Sequence, residues 1–519
     1  MRLRPLSEAA PPGDAASSAA ASASASSSSS SSAAAPLDLP LDSTPAQLSA
    51  LVNALRRSGG GGGGGEAAED ASTRPFSFYL NGVEVLSSLR AALAEQGLSA
   101  ESAHTVHYSP LAAFRVAPVA RCTDSLPGHG EPILHVSFAP DGGALASGGG
   151  DATVRFWDVR TATPRHVCAG HAAHVLCTAW SPDGSRFASA DKAGVVRVWD
   201  PARGVEACRP LMGHKAWVGS LAWEPLHARA KRGGGGGGGG GAVPQLLASA
   251  SKDGTVRVWD ARVGALHFTL SGHTDSVECV RWGGEGLLYS ASRDRTILVY
   301  ALAVDGGGAK LVRTLAGHGH RVNHLALNTD HLCRTGPFEH TGALHAGGRD
   351  ALAAARARYA AGFAAMGGRE LLVSCSDDFT ICLWEPGASK TALARMTGHQ
   401  AIVTHLSFSP DGRYVASASF DKKVKVWDGR TGKFLASYLG HVGAVYQVCW
   451  SGDSRLLASA SRDSTVKVWR VRFGGAEGAA AKVTAAATCA GHADEVYALD
   501  WSPDGVMVAS GGRDRLVKM

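Results

Sequence analysis

GHQAIVTHLSFSPDGRYVASASFDKKVKVWD, residues 398–428, contains the pattern from which the rest of the chain is read. Val403 to Phe408, Tyr414 to Ser419 and Val424 to Trp427 each alternate apolar with polar or small residues, the period-two signature of β-strands. Ser409-Pro410-Asp411-Gly412 is a turn signal: proline presets one φ and glycine supplies another. Outward from this stretch, Gly-His recurs at His129, His171, His214, His273, His318, His399, His441 and His492. An aromatic residue closes seven of the eight units: Trp157, Trp199, Trp259, Tyr300, Trp384, Trp427 and Trp469. The unit that starts at His492 would reach its tryptophan one residue past Met519.

The commonest Gly-His spacing, 42 or 43 residues, is the period of WD repeats. Six units carry an aspartate six residues before the closing aromatic: Asp151, Asp253, Asp294, Asp378, Asp421 and Asp463. Asp514 holds that place in the last unit, and Ala193 replaces it in the second. Histidine and aspartate stand 22 residues apart in four units, and a spacing repeated blade after blade points to architecture rather than to one catalytic or metal centre. Each histidine is therefore expected to bond its own aspartate, with a serine and the tryptophan indole completing a buried polar network. Ala193 then predicts one missing hydrogen bond, about 1 kcal/mol. One four-stranded sheet cannot bury both faces alone, so eight units predict an eight-bladed β-propeller. The repeat phase further predicts that Phe114 to Leu126 supplies the outer strand of the last blade and closes the ring.

Three zones follow. Residues 1–36 are rich in Ala, Ser and Pro and read as a disordered tail. Arg2, Arg4 and the serines also suit a targeting segment, against which Glu8 and Asp14 count. Residues 37–117 read as a small α+β, ubiquitin-like domain: a strand at Leu37 to Leu41, a helix opened by Thr44-Pro45, a strand at Phe76 to Leu80 with an Asn81-Gly82 turn, a short helix through Leu89 and Leu93, and a last strand at Val106 to Tyr108. Residues 118–519 form the propeller, with insertions at 229–243 and 330–370. The second insertion holds a helical stretch after Arg349, and its length fits either a binding element or a tolerated surface loop.

Composition narrows the function classes. Of 519 residues, 51 are Lys or Arg and 45 Asp or Glu; a net charge of +6 is too mild by itself to argue for a nucleic-acid binder. Ten scattered cysteines with no Cys-x-x-Cys pair oppose a zinc ribbon and suit a reducing compartment. There is no apolar run of 18 residues, and no membrane association is expected. The chain lacks Gly-x-Ser-x-Gly, His-Glu-x-x-His and phosphate-loop motifs, so it is read as a non-enzyme with no intrinsic cofactor or metal.

Longer strings carry a family resemblance. YSPLAAFRV (108–116), GHKAWVGSLAWEP (213–225), RWGGEGLLYSAS (281–292), RMTGHQ (395–400), VKVWDGRTGK (424–433) and HADEVY (492–497) resemble stretches of the Notchless family, as does a ubiquitin-like domain followed by eight WD blades. The resemblance spans about residues 37–519. It implies a monomeric assembly factor of the large (60S) ribosomal subunit in the nucleolus and nucleoplasm. Such a factor docks on the pre-60S particle through its propeller and offers its ubiquitin-like domain to midasin, a dynein-like AAA ATPase. It also implies that Glu101 completes, in trans, the oxygen ligand set of a Mg²⁺ ion held by midasin, with Glu95 and Glu84 as alternatives. Family members begin the small domain with a strand ahead of the Leu37 segment; here Ala and Ser stand in its place, and that edge is expected to be missing. Lys215 and Arg321 are candidates for the particle-facing rim. Two other readings stand beside it: a factor similar to WD-repeat protein 12, whose family has the same domain order but seven blades, and a WD40 substrate receptor of a ubiquitin ligase, for which no docking motif is seen outside the propeller.

Overall fold

The computed structural model describes residues 2–5, 38–59, 76–80, 83–85, 88–99, 102, 104–110, 116–117, 119, 121–233, 244–302, 308–345, 350–471, 482–483 and 485–519. They fall into two compact units that divide between Arg115 and Val116.

The smaller unit is a four-stranded sheet carrying two helices. Its strands are Arg2–Pro5 (β1), Phe76–Leu80 (β2), Val83–Glu84 (β3) and Thr105–Pro110 (β4), in the order β1-β4-β2-β3. The first strand therefore exists, and the expectation of a missing edge was wrong. Arg2–Pro5 runs parallel to β4 with Leu3 opposite Val106, and the Ala/Ser tract follows this strand instead of replacing it. The expected strand at Leu37 to Leu41 does not form. Pro40 has no amide to give a ladder; its carbonyl accepts the amide of Ser43 in a turn, and Leu39 and Leu41 pack on the core from irregular backbone. Helix α1 (Pro45–Gly59) starts in a capping box: Thr44 Oγ1 accepts the Gln47 amide at 3.5 Å, and Gln47 Oε1 accepts the Thr44 amide at 3.0 Å. Helix α2 (Leu89–Glu95) is capped by Ser88, whose hydroxyl accepts the Ala91 amide at 3.3 Å. Leu48, Val52, Phe78, Leu80, Leu89, Leu93 and Val106 form the core between sheet and helices. The Asn81-Gly82 turn lies outside the described residues.

The larger unit is a β-propeller of eight sheets, seven antiparallel throughout and the sixth extended by Lys482–Val483, which pairs parallel to its outer strand Phe434–Tyr438. Blades 1 to 7 span residues 133–169, 175–206, 218–270, 277–316, 322–396, 403–438 and 445–490. Blade 8 takes three strands from residues 496–518 and its outer strand from Ser125–Leu126 (β5). Leu126 faces Val517 and Ser125 faces Lys518, and the Met519 amide adds a bond to the Asp124 carbonyl at 3.0 Å. The seven-bladed alternative is thereby set aside.

In the second strand of most blades the sequence alternates but the burial does not. Ala144–Gly149, Leu246–Ser251 and Leu456–Ser461 are buried along their whole length. Small Ala, Ser and Gly side chains let the neighbouring blades cover both faces, as in parallel sheets covered on both sides. Large side chains fill the seams; between blades 1 and 2, Phe187 meets Phe156 at 5.0 Å and Trp180 at 4.9 Å, both edge to face. Trp180, Trp223 and Trp450 also donate their indole N–H to carbonyls of the preceding blade, Ser137, Ala179 and Ser407. Every innermost strand carries a register shift at the same place, for example Val175/Cys177 and Val403/His405, which adds the local twist a closed ring needs. No helix among the described residues is long and apolar enough to cross a membrane.

Candidate functional site

Each blade binds its Gly-His loop through one chain of hydrogen bonds. In blade 6, Trp427 Nε1–H donates to Ser417 Oγ at 3.0 Å, Ser417 lies 2.8 Å from His399 Nε2, and His399 Nδ1 lies 2.8 Å from Asp421. A carboxylate only accepts, so Nδ1 carries the proton and Nε2 accepts from the serine hydroxyl. The same chain links Trp157, Ser147, His129 and Asp151; Trp259, Ser249, His214 and Asp253; Trp384, Ser374, His318 and Asp378; and Trp469, Ser459, His441 and Asp463. His273 joins Asp294 and Ser290 in blade 4, where Tyr300 stands at the indole's position without bonding Ser290; His492 joins Asp514 and Ser510 in blade 8.

Blade 2 departs from the expectation. The second aspartate is not lost; Asp191, two residues before Ala193, takes its place. Its Oδ2 lies 2.8 Å from His171 Nδ1, and its Oδ1 accepts the amides of Ala193 and Val195 at 3.0 and 2.9 Å. Ser189 and Trp199 complete the chain at 2.7 Å each. Blades 3 to 7 hold a serine where Asp191 stands, such as Ser251 and Ser419.

Charge in these networks is fixed by burial and bonding. Burial outweighs the neighbouring aspartates and holds His129, His214, His399, His441 and His492 below the usual imidazole range. Burial pulls the Asp253 carboxyl upward, but Thr255, the Lys215 amide and His214 outweigh it and bring it to about 2. The arrangement resembles a Ser-His-Asp hydrolase triad repeated around the ring. It lacks access: Ser147, Ser189, Ser249, Ser290, Ser374, Ser417 and Ser459 are fully buried, so no substrate carbonyl reaches them.

The two insertions meet on one face of the propeller, where each blade's first strand turns into its second. The blade 3 insertion opens with helix α3 (Leu226–Gly233); the blade 5 insertion contains α4 (Asp330–Thr335) and α5 (Ala351–Ala365), the latter capped by Asp350 at the Leu352 amide. His227 of α3 stacks on Tyr359 of α5 at 3.7 Å, and its Nε2 lies 2.8 Å from the Gly284 carbonyl. Glu370, at the insertion's far end, accepts Tyr289 Oη at 2.8 Å and the Glu285 amide at 3.1 Å; burial pushes its carboxyl up to about 7. Arg334 of α4 crosses to blade 8 and grips Asp500 with two guanidinium nitrogens. Gly336 sits against the Pro182 carbonyl of blade 2, and Gly342 against Asp141 of blade 1. The insertion thus covers this end of the ring from blade 5 to blades 1, 2, 4 and 8. Beneath it Arg281 donates to His324 Nε2 at 2.8 Å, and the His324 and His405 rings lie 4.2 Å apart. The broken repeat signalled an insertion at 330–370, but nothing local in sequence named Arg334, Glu370 or Asp500 as its anchors.

The opposite face carries the Gly-His loops, with Lys215 exposed and Arg321 paired to Asp377 at 2.6 Å. In the smaller unit, Glu101 lies outside the described residues, as do the side chains of Glu84 and Glu95. The residues flanking Glu101 are drawn together. His104 Nε2 lies 2.7 Å from the Ser99 carbonyl and 2.8 Å from Ser102 Oγ, which donates to the same carbonyl at 3.1 Å. Among the described residues no His, Cys, Asp and Glu group is arranged to hold a metal.

Comparison with known proteins agrees with both units. The WD domain, G-beta repeat model matches residues 120–158, 162–200, 206–260, 264–300, 390–428, 432–470 and 484–519. The blade it passes over is blade 5, whose repeat the long insertion interrupts. The NLE (NUC135) domain model matches residues 25–93. The chain is 45% identical to Protein Notchless of Drosophila melanogaster over 381 residues, 72% of each chain. It is 44% identical to Ribosome assembly protein 4 of Saccharomyces cerevisiae over 394 residues, 75% of this chain and 74% of that one. Among solved structures, the computationally designed Ika8 protein superposes with a TM-score of 0.54 at 25% identity, covering 76% of this chain and 97% of its own.

Proposed function

The chain belongs to the Notchless family of NLE-domain WD-repeat proteins, and from that premise we propose that it is a non-enzymatic assembly factor of the pre-60S ribosomal particle. The observation that carries this reading is similarity to Ribosome assembly protein 4 over three quarters of both chains. In the proposed mechanism the propeller docks on the particle and the ubiquitin-like unit is the handle that midasin pulls, in the nucleolus and nucleoplasm. A buried core and a rigid ring suit that division: force enters through one unit and is delivered through the other.

Glu101 is the proposed point of attachment. Its carboxylate supplies a hard oxygen donor to a Mg²⁺ ion held by midasin, and the ion bridges the two proteins. The described residues on either side of Glu101, namely Ser99, Ser102 and His104, are hydrogen-bonded to one another, which reduces their own freedom before binding. The test is capture of the full chain by the midasin adhesion-site domain, with Mg²⁺ or EDTA, for the native protein and Glu101→Ala. The expected result is binding that needs both the ion and the glutamate. Capture that survives chelation and substitution together removes the Mg²⁺-bridged handle.

A further inference from the structure

Trp217 is an indole the propeller architecture does not require. It stands three residues after the blade 3 histidine, in the loop that leads into the innermost strand. In every blade the backbone carbonyl at this position accepts an amide from the loop two strands later, as Trp217 accepts from Lys252 at 2.9 Å and Ala444 from Arg462 at 2.8 Å. Pro132, Ser276 and Ala444 make this bond while carrying small side chains. Trp217 is 43% exposed, whereas the tryptophans that close the blades are 2% exposed or less. Lys192 Nζ lies 4.7 Å from its centroid and Lys252 Nζ 4.5 Å, with the exposed Lys215 in the same loop. None of the three ammonium groups takes part in an ion pair among the described residues. The nearby carboxylates are committed elsewhere: Asp191 to His171, and Asp253 to His214 and Thr255.

We propose that Trp217, Lys192 and Lys252 form a binding site for single-stranded RNA, with a splayed base stacked on the indole and flanking phosphates on the lysines. An exposed indole among unpaired cations matches a nucleotide in both parts, an aromatic plane and an anion one sugar away. The lysines now rest on the ring. Cation–π contact at an exposed site is weaker than stacking of a base on an aromatic side chain, and phosphate contact releases counterions, so exchanging one set of contacts for the other favours the complex. The rigid backbone bonds at Trp217 and Lys252 hold the two side chains in register before the ligand arrives. The site goes beyond the assembly-factor reading and rests on it only in the choice of RNA over an acidic protein segment.

The test uses the full chain and a fluorescent single-stranded oligoribonucleotide of about ten nucleotides, read by anisotropy across a salt series. W217A is expected to bind about 5- to 150-fold more weakly, and W217F to retain most of the affinity. The pair K192E and K252E should flatten the slope of log affinity against log salt by about 1.4. Unchanged melting of each variant confirms that an exposed site was altered and the fold was not. Three results overturn the proposal: no RNA binding by the native protein, native affinity in W217A, or a polyglutamate peptide that binds with the same dependence on Trp217. Cosedimentation of the native chain with pre-60S particles, measured separately, tests the assembly-factor reading alone.

Discussion

Moving the blade 2 carboxylate back to the place it occupies in the other blades tests whether these networks hold the propeller together. Asp191→Ser removes an acceptor from His171, whose side chain is fully buried, and from two amides 2.9 and 3.0 Å away. Breaking a buried, hydrogen-bonded pair by deleting one partner costs about 3–5 kcal/mol. Ala193→Asp alone puts a second carboxylate beside Asp191 and is expected to destabilise by about 1 kcal/mol or more. The two changes together recreate the Ser-x-Asp pattern of blades 3 to 7 and should return to within about 1 kcal/mol of the native protein. A chain of this size need not unfold in one step, so the readout should be local. Amide hydrogen exchange on peptides covering residues 187–200 should accelerate by about two to three and a half orders of magnitude in Asp191→Ser, and recover in the double variant. Acceleration under tenfold, or a double variant no better than the single one, would refute the view that the carboxylate is the requirement and its sequence position is not.

Acid should weaken the propeller from two sides. The blade histidines with depressed values, and His135, which burial brings to about 4, contribute stability that is complete above about pH 6.5 and is lost as pH falls. Asp253, held at about 2, adds a further loss below about pH 4, while Glu370, raised to about 7, acts oppositely between about pH 4.5 and 7. Urea midpoints at pH 7.5, 5.5 and 4 should therefore decline, and Glu370→Gln should steepen the decline above about pH 4.5. Gly336→Ala should loosen the covering insertion: the site has φ +50° and an added Cβ would lie 2.5 Å from the Pro182 carbonyl oxygen, a strain of about 1–3 kcal/mol before any clash, visible as faster tryptic cleavage at Arg356. Deleting residues 1–6 should cost the smaller unit about 2–4 kcal/mol through loss of the parallel β1–β4 ladder, measured by its melting.

Much of the propeller was readable because its signals recur. Gly-His, Asp and Trp at fixed spacing gave eight blades, and the repeat phase gave the closing strand before His129. The errors came where one copy departs from the pattern or where partners are far apart in sequence. Asp191 escaped because alignment to a fixed offset sees Ala193, whereas a carboxylate two residues earlier still reaches the same imidazole. Arg2–Pro5 escaped because four residues before a long Ala/Ser tract have no periodicity of their own; only their ladder partner, Thr105–Pro110, makes them a strand. Leu37 to Leu41 shows the converse, an alternating pattern whose proline denies it a ladder. The anchors of the blade 5 insertion were hidden for a third reason. Arg334 and Asp500 are 166 residues apart, and each alone is an ordinary charged residue.

The joint between β5 and the last blade also sets an order in time. Ser125 and Leu126 leave the ribosome early, but their partners Val517 and Lys518 are made only after the seven other blades. At about 5–20 residues per second, the early strand waits on the order of 20–80 seconds for its ladder. Seven blades can form during synthesis, yet the circle stays open until Lys518 has emerged. A nascent chain that stalls before that point therefore leaves Ser125–Leu126 without its ladder and the apolar faces at both ends of an otherwise finished arc without the neighbouring blade that buries them.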